Sequence, residues 1–404
     1  MESLIVAGLA VTLLWAFVAR RLGAWRFTGP LVLVAAGALV GGLVDSDLAE
    51  NLDTGLAEKV VEIVLALLLF ADATEVRGGF FGGERRIVSR LLLVALPLSL
   101  VVATATGLVL LAPLPWAAAL AIACIVIPTD FAPASNLLRM GALPRVRHIL
   151  NVESGYNDGI ASPLFLFAIA VASGDAATPL LALESAVPAA LIAVAIGAGI
   201  GGAAGYGMRR AVAARFSTPQ SMRLAMVLIP LVTYFGASAL DGNGFVAAFI
   251  AGIAYKATRL ARNRHHGELA HTETSAVDDL GALTAMIVWF VTGAVAVLVF
   301  ETGFQPTFII FGLLALTLLR MVPVALSLIG TDLNWRERTL IGMLGPRGTA
   351  SIVFGLLAYN ALDGQPAETA LYVTTVVVIG SILLHGILAP GLVHRMLGDR
   401  RTPG

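Results

Sequence analysis

The 404-residue sequence predicts an all-α, polytopic membrane protein of about thirteen transmembrane helices. Three observations carry that expectation. The chain is 58% hydrophobic and only 13% charged, whereas a water-soluble chain is roughly a quarter charged. Apolar runs recur at about the 20 residues needed to cross a hydrocarbon layer about 30 Å thick. The joints between those runs alternate between basic and acidic or neutral. The same composition excludes several classes. A soluble enzyme needs more charge on its surface, and a disordered chain carries fewer apolar residues. A nucleic-acid binder needs a basic excess, and here 26 Lys+Arg balance 26 Asp+Glu. Cys124 is the single cysteine, so no intramolecular disulfide forms; set in an apolar run, it reads as a small core side chain.

The runs lie near 3–19, 28–44, 58–74, 89–112, 116–138, 148–173 and 183–208, then near 222–240, 243–257, 280–300, 306–329, 337–360 and 369–395. The first has no positive residue ahead of it and no small-residue cleavage site, so it reads as a span rather than a signal peptide. The eighth and ninth are the least separated, divided by Asp241-Gly242-Asn243-Gly244. No soluble regulatory domain is expected at either end.

Charge at the joints sets the expected orientation. Arg20, Arg21 and Arg26 follow the first run; Asp45, Asp47, Glu50 and Asp53 follow the second; Arg77, Arg85, Arg86 and Arg90 follow the third. After an uncharged joint come Arg139, Arg145 and Arg147, then Asp175 and Glu184, then Arg209, Arg210, Arg215 and Arg223. Asp241 precedes Lys256, Arg259, Arg262 and Arg264; Glu301 precedes Arg336 and Arg338; Asp363 and Glu368 precede Arg395, Arg400 and Arg401. By the positive-inside rule the amino terminus lies outside and the carboxyl terminus in the cytoplasm. A miscounted run would break this alternation. His265, His266 and His271 fall in the longest polar loop, which reads either as a pH sensor or as a solvated, charge-rich connection.

Ionisable residues inside spans cost about 2.5–3.5 kcal/mol each on insertion scales, so their default reading is functional. Six stand out: Asp72, Asp130, Glu153, Asp158, Arg320 and Arg347. Four acids against two bases leave carboxylate charge unmatched, and unmatched carboxylates in a membrane bind protons or cations. In the sixth run, Ser154 and Asp158 (i, i+4) share a helical face, and Glu153 and Asn157 share the adjoining one. Asp158 is then free for a substrate, while Glu153 is placed to pair with an arginine. Asp72 reads as either a mouth residue steering cations or an interfacial carboxylate, and Glu62 as a side chain snorkelling to the outer edge.

Two spans are broken. Pro128 and Pro133 flank Thr129-Asp130 in the fifth run and prevent regular helix between them. Gly342, Gly345-Pro346 and Gly348 interrupt the twelfth. Non-helical backbone at membrane depth persists only where it is buried in protein or lines a cavity. A pair of broken spans in opposite halves of a chain points to a midplane binding site. Asp130 and Arg347 stand where charge neutralises the half-helix ends.

These pieces, in this order and spacing, resemble the monovalent cation:proton antiporters, specifically the electroneutral sodium/proton exchanger branch. The matching segments are Thr129-Asp130, Glu153-Ser154 followed by Asn157-Asp158-Gly159, and Gly345-Pro346-Arg347-Gly348; Phe70-Ala71-Asp72 and Arg320 before Pro323-Val324 match less specifically. The resemblance implies inverted repeats with two broken crossing helices. It implies a dimerisation bundle at about 1–75 and 222–300, a core bundle at about 89–173 and 306–395, and a homodimer. It makes Asp158 the shared proton and cation carrier, with Ser154 and Thr129 helping to hold sodium, Asp130 at the crossing, and Asn157 beside the carrier as in electroneutral members. Glu153 is expected to pair with an intramembrane arginine, Arg320 first and Arg347 second. Phe131 and Pro346 depart from the family pattern.

The expected activity is exchange of sodium, or lithium, for a proton at one site by alternating access, one for one. The partners are then the cation, the proton and the bilayer, with no cofactor and no nucleic acid. The expected location is a prokaryotic cell (inner) membrane. A potassium/proton exchanger is the alternative on the same fold. From other classes, a cation channel would need a polar stripe or carbonyl ring, and an intramembrane aspartyl protease would need Asp130 and Asp158 close enough to share a proton.

Overall fold

The computed structural model describes residues 2–24, 27–43, 55–76, 83–131, 143–176, 178–261, 269–301, 303, 305–389 and 393. Among these, every regular element is helical. In chain order they are α1 (Glu2–Ala24), α2 (Gly29–Gly41), α3 (Gly55–Glu75), α4 (Arg85–Arg90), a π-helical turn Leu91–Ala95, α5 (Leu96–Leu110), α6 (Trp116–Val126) and α7 (Pro144–Ala172). There follow α8 (Pro179–Ala213), α9 (Pro219–Ser238), α10 (Gly244–Arg259), α11 (His271–Glu301), α12 (Pro306–Leu316), α13 (Leu318–Ser327), α14 (Trp335–Met343), α15 (Thr349–Ala361), α16 (Gly364–Ser381) and π-helical turns Ile382–Leu388.

Each of the thirteen apolar runs overlaps one or more of these helices; the fifth is helical over 116–126 and the twelfth is interrupted at 344–348, while 132–138 and most of 390–395 lie outside the described residues. Among the described residues, eight helical stretches are long and apolar enough to cross a membrane (α1, α4 through α5, α7, α8, α9, α11, α12 with α13, and α16 with its π-helical turns), and α2, α6 and α15 are apolar but shorter. Phe17, Leu39, Val109, Leu191, Val232 and Leu313 are exposed on helix faces, where acyl chains are as apolar as they are. Cys124 is buried in α6.

The closest division, between α9 and α10, has a local cause. Asp241 takes a left-handed conformation, with φ 56, a region that costs most residues energy but that Asp tolerates. Asn243 Oδ1 then accepts hydrogen bonds from the amides of Phe245 and Val246, capping α10. At the entry to α14 the Asn334 side chain accepts from the Glu337 amide and Glu337 accepts from the Asn334 amide, a reciprocal cap that starts a helix of only 9 residues.

One group of helices comprises α1–α3 and α8–α11, with α8 packed along α10 and α11 along α2. Lipid tails give helices no hydrophobic reason to associate, so backbones must approach closely. Gly197, Gly201 and Gly205 supply that approach: a Cβ on any of them would overlap the backbone of Ala247, Ala251 or Tyr255 on α10. The seventh apolar run, absent from both expected bundles, therefore joins the group of α9 and α10. The second group contains α4–α7 and α12–α16. The two groups touch where α7 meets α3, α8 and α10, where α15 meets α3 and α11, and where α16 meets α11.

One charge departs from its expectation. Lys256, counted among the charges of a basic loop, is buried and donates to the carbonyls of Thr74 and Val76 at the end of α3. Glu62 accepts from the exposed Lys59 Nζ at 2.6 Å. His271 is exposed at the start of α11. His265 and His266 lie outside the described residues, as do Pro133 and Arg26, Arg77, Arg139, Arg262, Arg264, Arg395, Arg400 and Arg401. So do Asp45, Asp47, Glu50 and Asp53.

Candidate functional site

Helix α6 ends at Val126, and the chain runs on without helix through Pro128-Thr129-Asp130-Phe131. Opposite it, α14 stops at Met343 and α15 begins at Thr349, leaving 344–348 as non-helical backbone. The two breaks touch: the Asp130 amide donates to the Pro346 carbonyl at 2.8 Å. A proline has no amide to give, but its carbonyl remains an acceptor, so Pro346 serves as the receiving half of this bridge.

The fit at the crossing depends on Gly348. A Cβ there would fall on the Asp130 carboxylate, so only glycine lets the first turn of α15 lie against that group. The carboxylate thus sits at the amino-terminal end of α15, where unpaired amides carry partial positive charge. On the other side, Arg347 donates from Nη1 to the Gly345 carbonyl at 2.7 Å and from Nη2 to the Ala315 carbonyl at 2.8 Å. Its guanidinium is 1% exposed and satisfies carbonyls beyond the end of α14 and on α12.

Helix α7 supplies the remaining residues. Its motif is buried because α7 lies against α3, α6 and α10. Ser154 Oγ accepts from the Phe131 amide at 2.9 Å. Asn157 Nδ2 donates to both the carbonyl and the hydroxyl oxygen of Thr129 at 3.0 Å. These bonds splice the broken strand of the fifth span onto one side of α7. The other amide atom, Asn157 Oδ1, is buried and has no donor among the described residues.

The four sequence-predicted carboxylates fall into two environments. Glu153 accepts two parallel hydrogen bonds from Arg320, Nη1 to Oε1 at 2.8 Å and Nη2 to Oε2 at 2.9 Å. Both partners are buried, and the bidentate geometry satisfies the charge at both ends. Arg347, the second candidate for that role, lies within electrostatic reach of Glu153 but bonds to carbonyls instead.

Asp158 is buried, and among the described residues no hydrogen bond or ion pair reaches its carboxylate. It lies within electrostatic reach of Asp130 and Arg347, and Asp72 is within reach of both Asp158 and Asp130. Asp72 is half-buried, with its backbone carbonyl against Gly155 of α7. The structure therefore brings Asp72, Asp130, Ser154, Asn157, Asp158 and Thr129 into one neighbourhood, with the Glu153–Arg320 pair beside it. Chemically this is a buried, oxygen-rich site in which, among the described residues, one carboxylate and one amide oxygen meet no donor, suited to a hard monovalent cation or a proton.

Sequence reasoning passed over two buried residues of the last span. Ser381 Oγ accepts from the Arg347 amide at 2.7 Å, and His385 Nε2 lies 3.1 Å from the Met343 carbonyl. The available signal was a Ser and a His spaced i, i+4 in an otherwise apolar run.

Outside the spans, Arg145 joins Glu84 and Asp332, each at 2.7 Å. The hydrogen bond from Arg145 holds the Asp332 carboxyl below the usual carboxylate range.

Comparison with known proteins bears on the fold and the family. An Na(+)/H(+) antiporter of Schizosaccharomyces pombe is 25% identical over 367 residues, covering 84% of this chain and 76% of that protein. The Na(+)/H(+) antiporter ApNhaP of Aphanothece halophytica is 24% identical over 364 residues, covering 85% and 66%. The structure of the sodium proton antiporter MjNhaP1 from Methanocaldococcus jannaschii at pH 8 aligns with a TM-score of 0.79 at 20% identity, over 98% of this chain and 99% of that one, so the two share a fold. The profile of the transmembrane sodium/hydrogen exchangers matches residues 7–395, and the chain belongs to that family of cation:proton antiporters.

Proposed function

We propose that this chain exchanges sodium for a proton, one for one, with Asp158 as the carrier of both. The observation that carries this reading is the buried Asp158 carboxylate, which no hydrogen bond or ion pair reaches among the described residues. A charge withdrawn from water needs a counter-charge. A proton or a cation supplies it, and because one carboxylate serves both, they displace one another.

Asp158 gives the charged ligand. Asn157 Oδ1, the oxygens of Thr129 and Ser154 Oγ are the neutral ligands at hand, and water fills the rest of the shell. Thr129 and Ser154 each already accept a hydrogen bond, but an oxygen has a second lone pair to offer. Asp130 and Asp72 favour cations by their charge. Asp130 also compensates the end of α15, and Glu153–Arg320 holds α7 against α13 without changing its charge. One cation in for one proton out makes the cycle electroneutral.

The core bundle, α4–α7 with α12–α16, moves against the group of α1–α3 and α8–α11, giving access from alternate sides. The latter group forms the homodimer interface. Joint charges support an external amino terminus and a cytoplasmic carboxyl terminus in a prokaryotic cell (inner) membrane.

The test is proton flux in sealed proteoliposomes with a preset pH gradient, adding sodium, lithium or potassium outside, with and without a voltage clamp. Collapse of the gradient by sodium or lithium, unchanged by the clamp, supports the proposal. Collapse by potassium alone assigns the same site to potassium/proton exchange. No response to any cation removes the exchange reading.

A further inference from the structure

The last span holds a buried polar pair that the exchange cycle leaves unused. Ser381 is the final residue of α16 and His385 lies in the π-helical turns that follow; they are 1% and 4% exposed. Such turns are rare and concentrate at functional sites. His385 Nε2 is 3.1 Å from the Met343 carbonyl. Its Nδ1 is 3.3 Å from Ser381 Oγ and 3.1 Å from the Ser381 carbonyl. Ser381 Oγ also accepts from the Arg347 amide.

An N–H at Nε2 donates to the Met343 carbonyl, while Nδ1 lies against both the Ser381 hydroxyl and the Ser381 carbonyl, so its role there follows from the tautomer. The imidazole thus holds Met343 on one side, and Ser381 Oγ, in contact with the ring, holds the Arg347 amide on the other. Met343 and Arg347 lie on opposite sides of the break. A helix end leaves its last carbonyls without intrahelical donors, and the residues after it have amides to satisfy. One group of each kind is satisfied here from the same neighbouring helix. Between them lies Pro346, whose carbonyl receives the Asp130 amide.

We infer that His385, acting through Ser381, is a positioning residue of the exchange site. It clamps the two sides of the twelfth-span break, and so fixes the Pro346 carbonyl against the broken segment that carries Thr129 and Asp130. The inference deepens the exchange reading and rests on it.

The test compares wild type, His385→Leu, His385→Gln and Ser381→Ala in proteoliposomes, with amide hydrogen exchange of the 343–349 segment measured on the same purified proteins. Leucine removes both ring bonds; glutamine restores a donor at the Nε2 position; Ser381→Ala cuts the link to Arg347 and the hydroxyl's contact with Nδ1, and leaves the Nε2–Met343 bond in place. In His385→Leu and Ser381→Ala, the apparent KM for sodium should rise about fivefold, the value of roughly one hydrogen bond. The maximal rate should change less, and the segment should exchange faster. His385→Gln should restore the KM to within about twofold. Should His385→Leu fail to fold, Ser381→Ala carries the decision. An unchanged KM and unchanged segment exchange in Ser381→Ala would overturn the inference, as would a lowered Tm in His385→Leu with KM intact. Absence of exchange in the wild type removes the activity reading and the inference with it, whereas wild-type exchange with indifferent variants removes the inference alone.

Discussion

Helix α7 carries two buried carboxylates five positions apart, and they live in opposite circumstances. Glu153 meets Arg320 through two parallel hydrogen bonds. Asp158 meets no donor among the described residues, and its electrostatic neighbours include two further carboxylates. Under the proposed exchange, the carboxylate bonded to its counter-charge is part of the scaffold, and the one that Arg347 reaches only at a distance is available for cargo. Both are buried, so the partner, not the depth, divides the proposed roles.

Five variants test that contrast. Asp158→Asn should have the largest functional effect: proton flux abolished with the Tm unchanged or raised, because the amide keeps the shape and loses only the charge. Retained exchange in a folded Asp158→Asn protein would sink the carrier assignment. Glu153→Leu should instead cost about 3–5 kcal/mol of stability by stranding the Arg320 guanidinium. Thermal unfolding should show the double variant Glu153→Leu with Arg320→Met recovering most of it, since a buried pair replaced as a unit is often neutral. If the double variant is no better than the single one, the pair is not an isolated unit.

Gly348→Ala places a methyl on the Asp130 carboxylate and should cost about 1–3 kcal/mol by overpacking. Sodium-driven flux should fall as the two breaks are pushed apart; wild-type flux would show that the crossing tolerates a looser fit.

The smallest effect belongs to the exposed cluster. Asp332→Asn should leave flux and neutral-pH Tm nearly unchanged, as exposed pairs contribute little. Because Arg145 holds the Asp332 carboxyl below its ordinary range, any contribution is present at neutral pH and fades as acid protonates it. A large neutral-pH loss in this variant would mean the Arg145 cluster is a strut between loops.

Much of this was legible in the sequence, and for a physical reason. Hydropathy decides helix placement in a bilayer because unpaired backbone groups have no water to turn to, and every apolar run overlaps a helix. The two breaks were visible in Pro128 and in Gly345-Pro346, and the i, i+4 spacing gave the relation between Ser154 and Asp158. What spacing lacked was the third dimension. It ranked Arg320 ahead of Arg347 for Glu153 but had no account of the carbonyls that occupy Arg347. It assigned the seventh run to neither bundle, although glycines at 197, 201 and 205 mark a close-packing face, because a stripe does not name its partner. It passed over Ser381 and His385, whose significance lies in which backbone groups they meet across the break. Lys256 was read as a loop charge because sequence does not reveal that the end of α3 lies within its reach.

The most direct test of the central claim is calorimetric titration of sodium into the purified protein in two buffers of different ionisation enthalpy. One bound sodium ion should release one proton from the wild type, and Asp158→Asn should show neither the binding nor the release. Sodium binding that persists in Asp158→Asn, or that releases no proton in the wild type, would contradict a single unmatched carboxylate serving both ions.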